Sequence, residues 1–205
     1  MNIYNQDCLE AMKEMSDNQF DLAIVDPPYG IKNKIVNGGL TKKRHSQFHR
    51  NKNSVKWDIL PSKKFFNELF RVSQEQIIWG SNYFNLPPTR CNLIWDKMQV
   101  FTGADFELAW TSFDKASKSF RMSRIEAYSK GKIHPTQKPV KLYEWLLMNF
   151  AKEGDTILDT HLGSGSIAIA CHNLGFDLTG YEIYKEYFEA AKKRIEQHKA
   201  QIRIF

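Results

Sequence analysis

Short apolar runs rich in Ile, Val, Phe and Trp recur along the chain, at Ile3–Tyr4, Leu22–Val25, Ile77–Trp79, Leu93–Trp95, Phe106–Trp110, Thr156–Leu158 and Leu178–Tyr181. Several read as interior strands of one sheet, because a strand covered on both faces is apolar without alternation. Helical spacing appears between them at Leu9–Met15, Lys63–Val72, Val140–Ala151, Ser166–Leu174 and Lys185–Ala200. This alternation predicts an α/β fold with a doubly wound, mostly parallel, seven-stranded sheet. Pro61 and Pro139 fall where helices are expected to start, and Gly175 follows the helix ending near Leu174 as a C-terminal cap would. From Leu93 to Phe113 the strands have no helix between them, which predicts an antiparallel hairpin at one sheet edge. Trp79, Trp95 and Trp110 lie inside strand-like runs and read as core residues.

Length and composition suit one domain spanning residues 1–205, with 42% hydrophobic residues to fill a core. The start of the chain lacks a basic segment followed by an apolar one, and no stretch approaches the roughly 20 apolar residues of a membrane span. The expectation is a soluble cytoplasmic protein with no membrane partner. Cys8, Cys91 and Cys171 are odd in number and form no C-x-x-C pair. They read as reduced packing residues, and no metal site is expected. The net charge of +6 is concentrated in two stretches. Between Ile31 and Lys56 stand Lys32, Lys34, Lys42, Lys43, Arg44, Arg50, Lys52 and Lys56 with no acid; a second basic stretch, including Arg121 and Arg124, runs from Lys115 to Lys141 against the single acid Glu126. Residues 31–57 and 115–133 therefore read either as solvated loops or as basic insertions that contact phosphates and base edges. With Asn37-Gly38-Gly39, the first is also a candidate mobile loop.

The candidate chemistry begins at Asp26-Pro27-Pro28-Tyr29, directly after the Phe20–Val25 strand. Each proline fixes its own φ and biases its predecessor toward extended backbone, so the carboxylate, the Pro27 carbonyl and the ring are held in one arrangement. Two acceptors and a flat ring suit a planar amine: each acceptor takes one N–H while Tyr29 stacks on the ring bearing the nitrogen. An ordinary strand-ending turn has the same composition, so context decides.

That context lies at Thr156-Ile-Leu-Asp-Thr-His-Leu-Gly-Ser-Gly-Ser166, a strand, a glycine turn and a helix start. Gly163 and Gly165 let backbone approach a ligand, and the helix N-terminus offers free N–H groups. Glu182 closes the next strand, where an acid that grips ribose hydroxyls is expected. Gly163-x-Gly165-x-x-Ala168 also satisfies a dinucleotide fingerprint, so a nicotinamide or flavin oxidoreductase is a rival. Asp159 would face the phosphates of such a ligand but could hold a cationic amino group. A cofactor with an amino-acid end fits better.

The two motifs together resemble the amino-group DNA methyltransferases, which use S-adenosylmethionine to methylate adenine N6 or cytosine N4. With the catalytic turn first and the cofactor loop last, the order resembles the permuted β-class, and implies a circularly permuted, Rossmann-like methyltransferase fold. His134-Pro-Thr-Gln-Lys-Pro139 is similar to the family segment that completes the methionine pocket, and Asn5-Gln6-Asp7 to the strand end that contacts the cofactor adenine. The resemblance implies Asp26, Pro27, Pro28 and Tyr29 as catalytic residues. It implies Asp7, Cys8, His134, Thr136, Gln137, Lys138, Asp159, His161, Gly163, Ser164, Gly165 and Glu182 around the cofactor. Lys32, Lys42, Lys43, Arg44, Arg50, Lys52, Arg121 and Arg124 are the candidate DNA contacts. His161 stands where the family usually has an aromatic, and an imidazole there could make cofactor affinity pH-sensitive.

The resemblance implies transfer to adenine N6 in double-stranded DNA, with the base taken out of the helix. No Pro-Cys dipeptide is present to attack a pyrimidine C6, which disfavours ring-carbon methylation. Cytosine N4, RNA, a protein glutamine amide and a catalytically silent DNA-binding regulator stay as alternatives. So do a homodimer and a cognate restriction endonuclease, or a phage or mobile-element setting.

Overall fold

The computed structural model describes residues 1–31, 58–99, 104–129 and 131–201. Lys32, Lys42, Lys43, Arg44, Arg50 and Lys52 lie outside them. Among the described residues the strands are β1 (Asn2–Tyr4), β2 (Phe20–Val25), β3 (Ser73–Trp79), β4 (Asn92–Asp96), β5 (Phe106–Thr111), β6 (Lys118–Arg121), β7 (Thr156–Asp159) and β8 (Asp177–Tyr181). The helices are α1 (Cys8–Lys13), α2 (Lys63–Val72), α3 (Arg124–Ala127), α4 (Val140–Phe150), α5 (Ser166–Leu174) and α6 (Lys185–Lys199), with a 3-10 turn at Ser81–Tyr83.

All eight strands form one sheet in the order β1-β8-β7-β2-β3-β5-β4-β6. Every neighbouring pair is parallel except those that involve β5, which runs antiparallel to both β3 and β4. The expected antiparallel pair exists as β4 and β5, but it is not the edge. A strand not foreseen from sequence, β6, pairs parallel to β4 beyond it. Lys118-Ser-Phe-Arg121 carries one apolar side chain, and an edge strand open to solvent needs no apolar face. The sheet therefore has eight strands where seven were expected, and part of the 115–133 insertion belongs to it.

Side chains alternate across the sheet with period two, and the two faces gather different helices. Leu22, Ile24, Ile77, Trp79 and Ile157 point to the face covered by α4, α5 and α6. Ala23, Val25, Ile78 and Leu158 point to the face covered by α1 and α2. Trp79 and Trp95 are fully buried and Trp110 nearly so, as their strand positions predicted. The three cysteines are free thiols. The Ser62 hydroxyl caps α2 by accepting from Phe65 N, while Pro61 and Pro139 each stand just outside a helix.

Because β7, β2 and β3 are parallel, their carboxyl ends share one rim. β2 leads outward to β3 on one side, while β7 and β8 fill the other, so a crevice opens between β2 and β7 where the chain order reverses. In α4, Leu146 is fully buried against the sheet. Leu146→Ala is expected to cost about 2–5 kcal/mol of unfolding free energy. Urea titration followed by circular dichroism measures this, and a loss under about 1 kcal/mol would mean that this face repacks freely.

Candidate active site

The crevice is a cleft of about 1130 Å3, and Asp26, Pro27, Pro28 and Tyr29 line it together with Asp7, Cys8, His134, Thr136, Gln137, Lys138, His161, Gly163, Ser164 and Glu182. Parallel pairing of β2 with β7, Leu22 opposite Ile157 and Ala23 opposite Leu158, sets the two loops side by side although their sequences are far apart.

At one end stands the proline turn. Tyr29 donates its hydroxyl to Asp26 Oδ1 at 2.5 Å, and Asp58, itself buried, accepts from Gly30 N at 2.8 Å to close the turn. The Tyr29 ring stacks on Tyr83 with centroids 4.8 Å apart and lies against Gly80, where an added Cβ would sit 2.1 Å from the ring. Gly80 also has φ +75°, so two independent reasons demand a glycine there.

Lys138 is placed differently from its expected cofactor role. Its side chain is 1% exposed, and its ammonium contacts Asp26 Oδ2, Glu107 Oε2 at 3.2 Å and the Tyr29 hydroxyl at 3.3 Å. Glu107 also pairs with Lys97 at 2.8 Å. Two carboxylates and two ammoniums thus form a chain from Asp26 to Lys97 with no net charge. Burial pushes Lys138 down, but Asp26 and Glu107 outweigh it and hold it protonated above the usual lysine range. Burial pushes Glu107 up, and Lys138 and Lys97 overcome this to bring it to about 2. For Asp26 burial is the largest influence, and its carboxyl stays above the ordinary aspartate value despite Lys138.

At the other end lies the glycine turn. Glu182 Oε2 accepts from Gly163 N and Oε1 from Tyr184 N, both at 2.9 Å, while Asn5 Nδ2 donates to the Glu182 carbonyl at 2.8 Å. The segment 134–138 packs over this loop: His134 lies beside Gly163 and meets Tyr187 edge-on at 4.4 Å, and Thr136 N donates to His134 Nδ1 at 3.4 Å. Gln137 Oε1 accepts from Ile133 N at 3.0 Å. Asp7 caps α1 by accepting from Leu9 N at 2.8 Å, and burial pushes the adjacent Cys8 thiol up to about 12, where it is inert as a nucleophile. His161 meets Phe65 edge-on at 5.4 Å, and burial brings its pKa down to about 4. It is neutral at physiological pH, so the expected pH sensitivity moves to acid.

Gly165 stands apart from the cleft. With φ +70° it precedes α5, and an added Cβ would press on Ile195 at 3.0 Å and Ala191 at 3.3 Å, so its bareness serves packing against α6. Asp159 ends β7 behind the Thr160 and His161 that line the cleft; 2% exposed, it accepts from His161 N at 3.0 Å. Arg194, unforeseen from sequence, braces the loop from α6 by donating to the Ser164 carbonyl at 2.8 Å and to Ser166 Oγ at 2.9 Å. Glu107, Lys97, Asp58 and Tyr83 were also unforeseen. An acid inside the apolar run 106–110 was the one signal for Glu107. Arg121 pairs with Asp96 at 3.0 Å on the outer strand, and Arg124 lines the cleft mouth at the start of α3. Among the described residues no group of three or more His, Cys, Asp or Glu side chains is arranged to hold a metal, and no helix is long and apolar enough to cross a membrane.

Burial pushes Asp159 up to about 8, and the charge of Lys138 opposes this only weakly, from beyond contact. The folded chain therefore holds a proton that the unfolded chain releases near the ordinary aspartate value, so this group's stability contribution is present below about pH 4 and lost as pH rises toward 8. Asp159→Asn keeps the acceptor and removes the titration. It is expected to raise the melting temperature of the free protein at pH 8, with a gain that vanishes toward pH 4. Differential scanning calorimetry across that range decides, and an equal shift at both ends would discount the buried carboxyl as the cause.

Residues 78–193 match the DNA methylase family of N6 and N4 enzymes. The Type II methyltransferase M2.DpnII of Streptococcus pneumoniae is 33% identical over 147 residues, 70% of this chain and 50% of its own length. M.HpaI of Haemophilus parainfluenzae, also a Type II methyltransferase, is 23% identical over 92% of this chain and 72% of its own. In structure, the M1.HpyAVI complex with S-adenosylmethionine superposes with a TM-score of 0.59 at 21% identity, covering 94% of this chain and 98% of that one, a likeness of fold. A family match over more than half of the chain and a relative 33% identical over 70% of it show that the chain belongs to the S-adenosylmethionine-dependent N6/N4 amino-group DNA methyltransferases.

Proposed function

We propose that this chain methylates adenine N6 in double-stranded DNA. The observation that carries the reading is the shared cleft: Asp26, Pro27 and Tyr29 line one end and Gly163 and Glu182 the other, so an amine and a methyl donor can meet between them. The donor set fits S-adenosylmethionine. Glu182 offers carboxylate oxygens to sugar hydroxyls, and Ile183 and Tyr184 offer apolar surface to a purine; Asp159, buried behind Thr160 and His161, would act on an amino group through its charge. When bound, this cofactor supplies an electrophilic methyl on a sulfonium.

An exocyclic amine is a poor nucleophile because its lone pair is delocalised into the ring. Asp26 and the Pro27 carbonyl would accept its two N–H bonds, localise the lone pair and point it at the methyl. The N–C bond forms as the C–S bond breaks, the thioether departs, and the nitrogen sheds one proton toward the Asp26 carboxylate. Tyr29 would meet the base with the part of its ring that Tyr83 and Gly80 leave uncovered. Arg124 at the cleft mouth and the basic insertions would neutralise the nucleic-acid backbone. The Type II relatives support a restriction-modification setting, and a cytoplasmic location belongs to the same proposal.

Cytosine N4 is the second reading, since the family contains both chemistries and the pocket demands only a planar amine. Incubation with tritiated S-adenosylmethionine and unmethylated DNA, followed by nucleoside digestion and mass spectrometry, separates them. N6-methyladenine is expected, and N4-methylcytosine alone would reassign the base. Asp26→Ala is expected to lower transfer at least about a hundredfold with cofactor affinity unchanged. Retained transfer would move the chemistry away from this turn.

DNA affinity is expected to fall by about tenfold or more between 50 and 200 mM salt, read by fluorescence anisotropy on a labelled duplex. A flat salt response would remove the basic segments from binding.

A further inference from the structure

Lys138 and Glu107 make contacts that neither cofactor binding nor the turn alone explains. We propose that Lys138, anchored by Glu107, is the positioning residue that keeps Asp26 an ionised acceptor and aims it at the target amine. This rests on the methyltransferase reading of the same cleft.

The geometry carries it. Asp26 Oδ1 is held by the Tyr29 hydroxyl and Oδ2 by the Lys138 ammonium, so both oxygens are fixed while each keeps lone pairs for an incoming N–H. Lys138 is 1% exposed and lies 5.2 Å over the Trp79 ring, so it cannot swing to solvent without leaving a cavity. Glu107, from β5, holds the ammonium from the other side, and Lys97 balances Glu107. The ammonium thus has two carboxylate partners. It stays with Asp26 while that oxygen is anionic, and Glu107 prevents it from being drawn fully across the pocket.

Without this partner a largely covered aspartate would hold its proton more tightly, and a protonated carboxyl donates where the reaction needs an acceptor. The groups that act on Asp26 are Tyr29 on its own turn, Lys138 before α4, Glu107 on β5 and, through Glu107, Lys97 after β4. Tyr143 on α4, Tyr128 after α3 and Asp159 on β7 also feel its charge. Of these, Lys138 favours the anion and Glu107 opposes it, which gives two substitutions with opposite signs.

The test follows the Asp26 carboxyl in 13C-aspartate-labelled protein by NMR from pH 3 to 9, beside single-turnover methyl transfer over the pH range where the protein is folded. Lys138→Gln is expected to move the Asp26 midpoint and the acid limb of the rate upward by at least one pH unit. It should also cut the rate at pH 7 at least tenfold. Glu107→Gln is expected to move both downward, and Lys138→Arg to restore the wild-type limb. Cofactor affinity by calorimetry should stay within threefold in all three.

Limbs and midpoints that stay at wild-type values, or a Lys138→Gln defect confined to cofactor affinity, would overturn the proposal. Should Lys138→Gln fail to fold, the downward shift in Glu107→Gln decides alone. A wild-type protein that transfers no methyl to DNA, yet shows opposed midpoint shifts, would sink the substrate reading and leave the charge pair standing.

Discussion

Parallel pairing of β2 with β7 is the constraint from which the site follows. Two strands whose carboxyl ends lie side by side on one rim bring Asp26 and Asp159 into one neighbourhood, with the cleft above them. The register leaves no freedom to slide: a shift of one residue would exchange Leu22 and Ile24 with Ala23 and Val25 between two differently shaped faces. The helices that enforce the register on one face, α4, α5 and α6, also carry the two loops that close over the cleft.

Holding charge beneath such a cleft costs stability. Three acids, Asp26, Asp159 and Glu182, are pushed up by burial, and the chain manages each differently. Asp26 has an ammonium, Glu182 has two backbone N–H donors, and Asp159 has one N–H from His161. The least compensated acid lies just behind the cleft wall formed by Thr160 and His161. This is the distribution expected where a binding site is completed by what it binds.

Much of this was readable from sequence because it is local. The Asp26 turn, the Gly163 loop, the helix boundaries near Lys63 and Ser166 and the burial of Trp79 all follow from neighbours a few residues apart. What could not be read depends on pairing across the chain. β6 escaped because an edge strand with one apolar residue has no periodicity to detect. Glu107 escaped because its partner Lys138 is brought to it only by the order of β3, β5 and β4. The packing role of Gly165 is not legible locally, because the helix that needs its bareness, α6, comes 20 residues later. Lys138 was legible as a motif residue, but its direction was not.

The engagement of Glu182 reaches beyond the loop it tethers. Both its oxygens are spoken for by rigid amides before any ligand arrives, so the carboxylate cannot rotate to suit a newcomer. Under the proposed reading, a nucleoside whose sugar lacked paired hydroxyls would cover this fixed, buried anion and leave its remaining lone pairs unmet. Discrimination at this end of the cleft would come less from attraction to the right sugar than from intolerance of the wrong one.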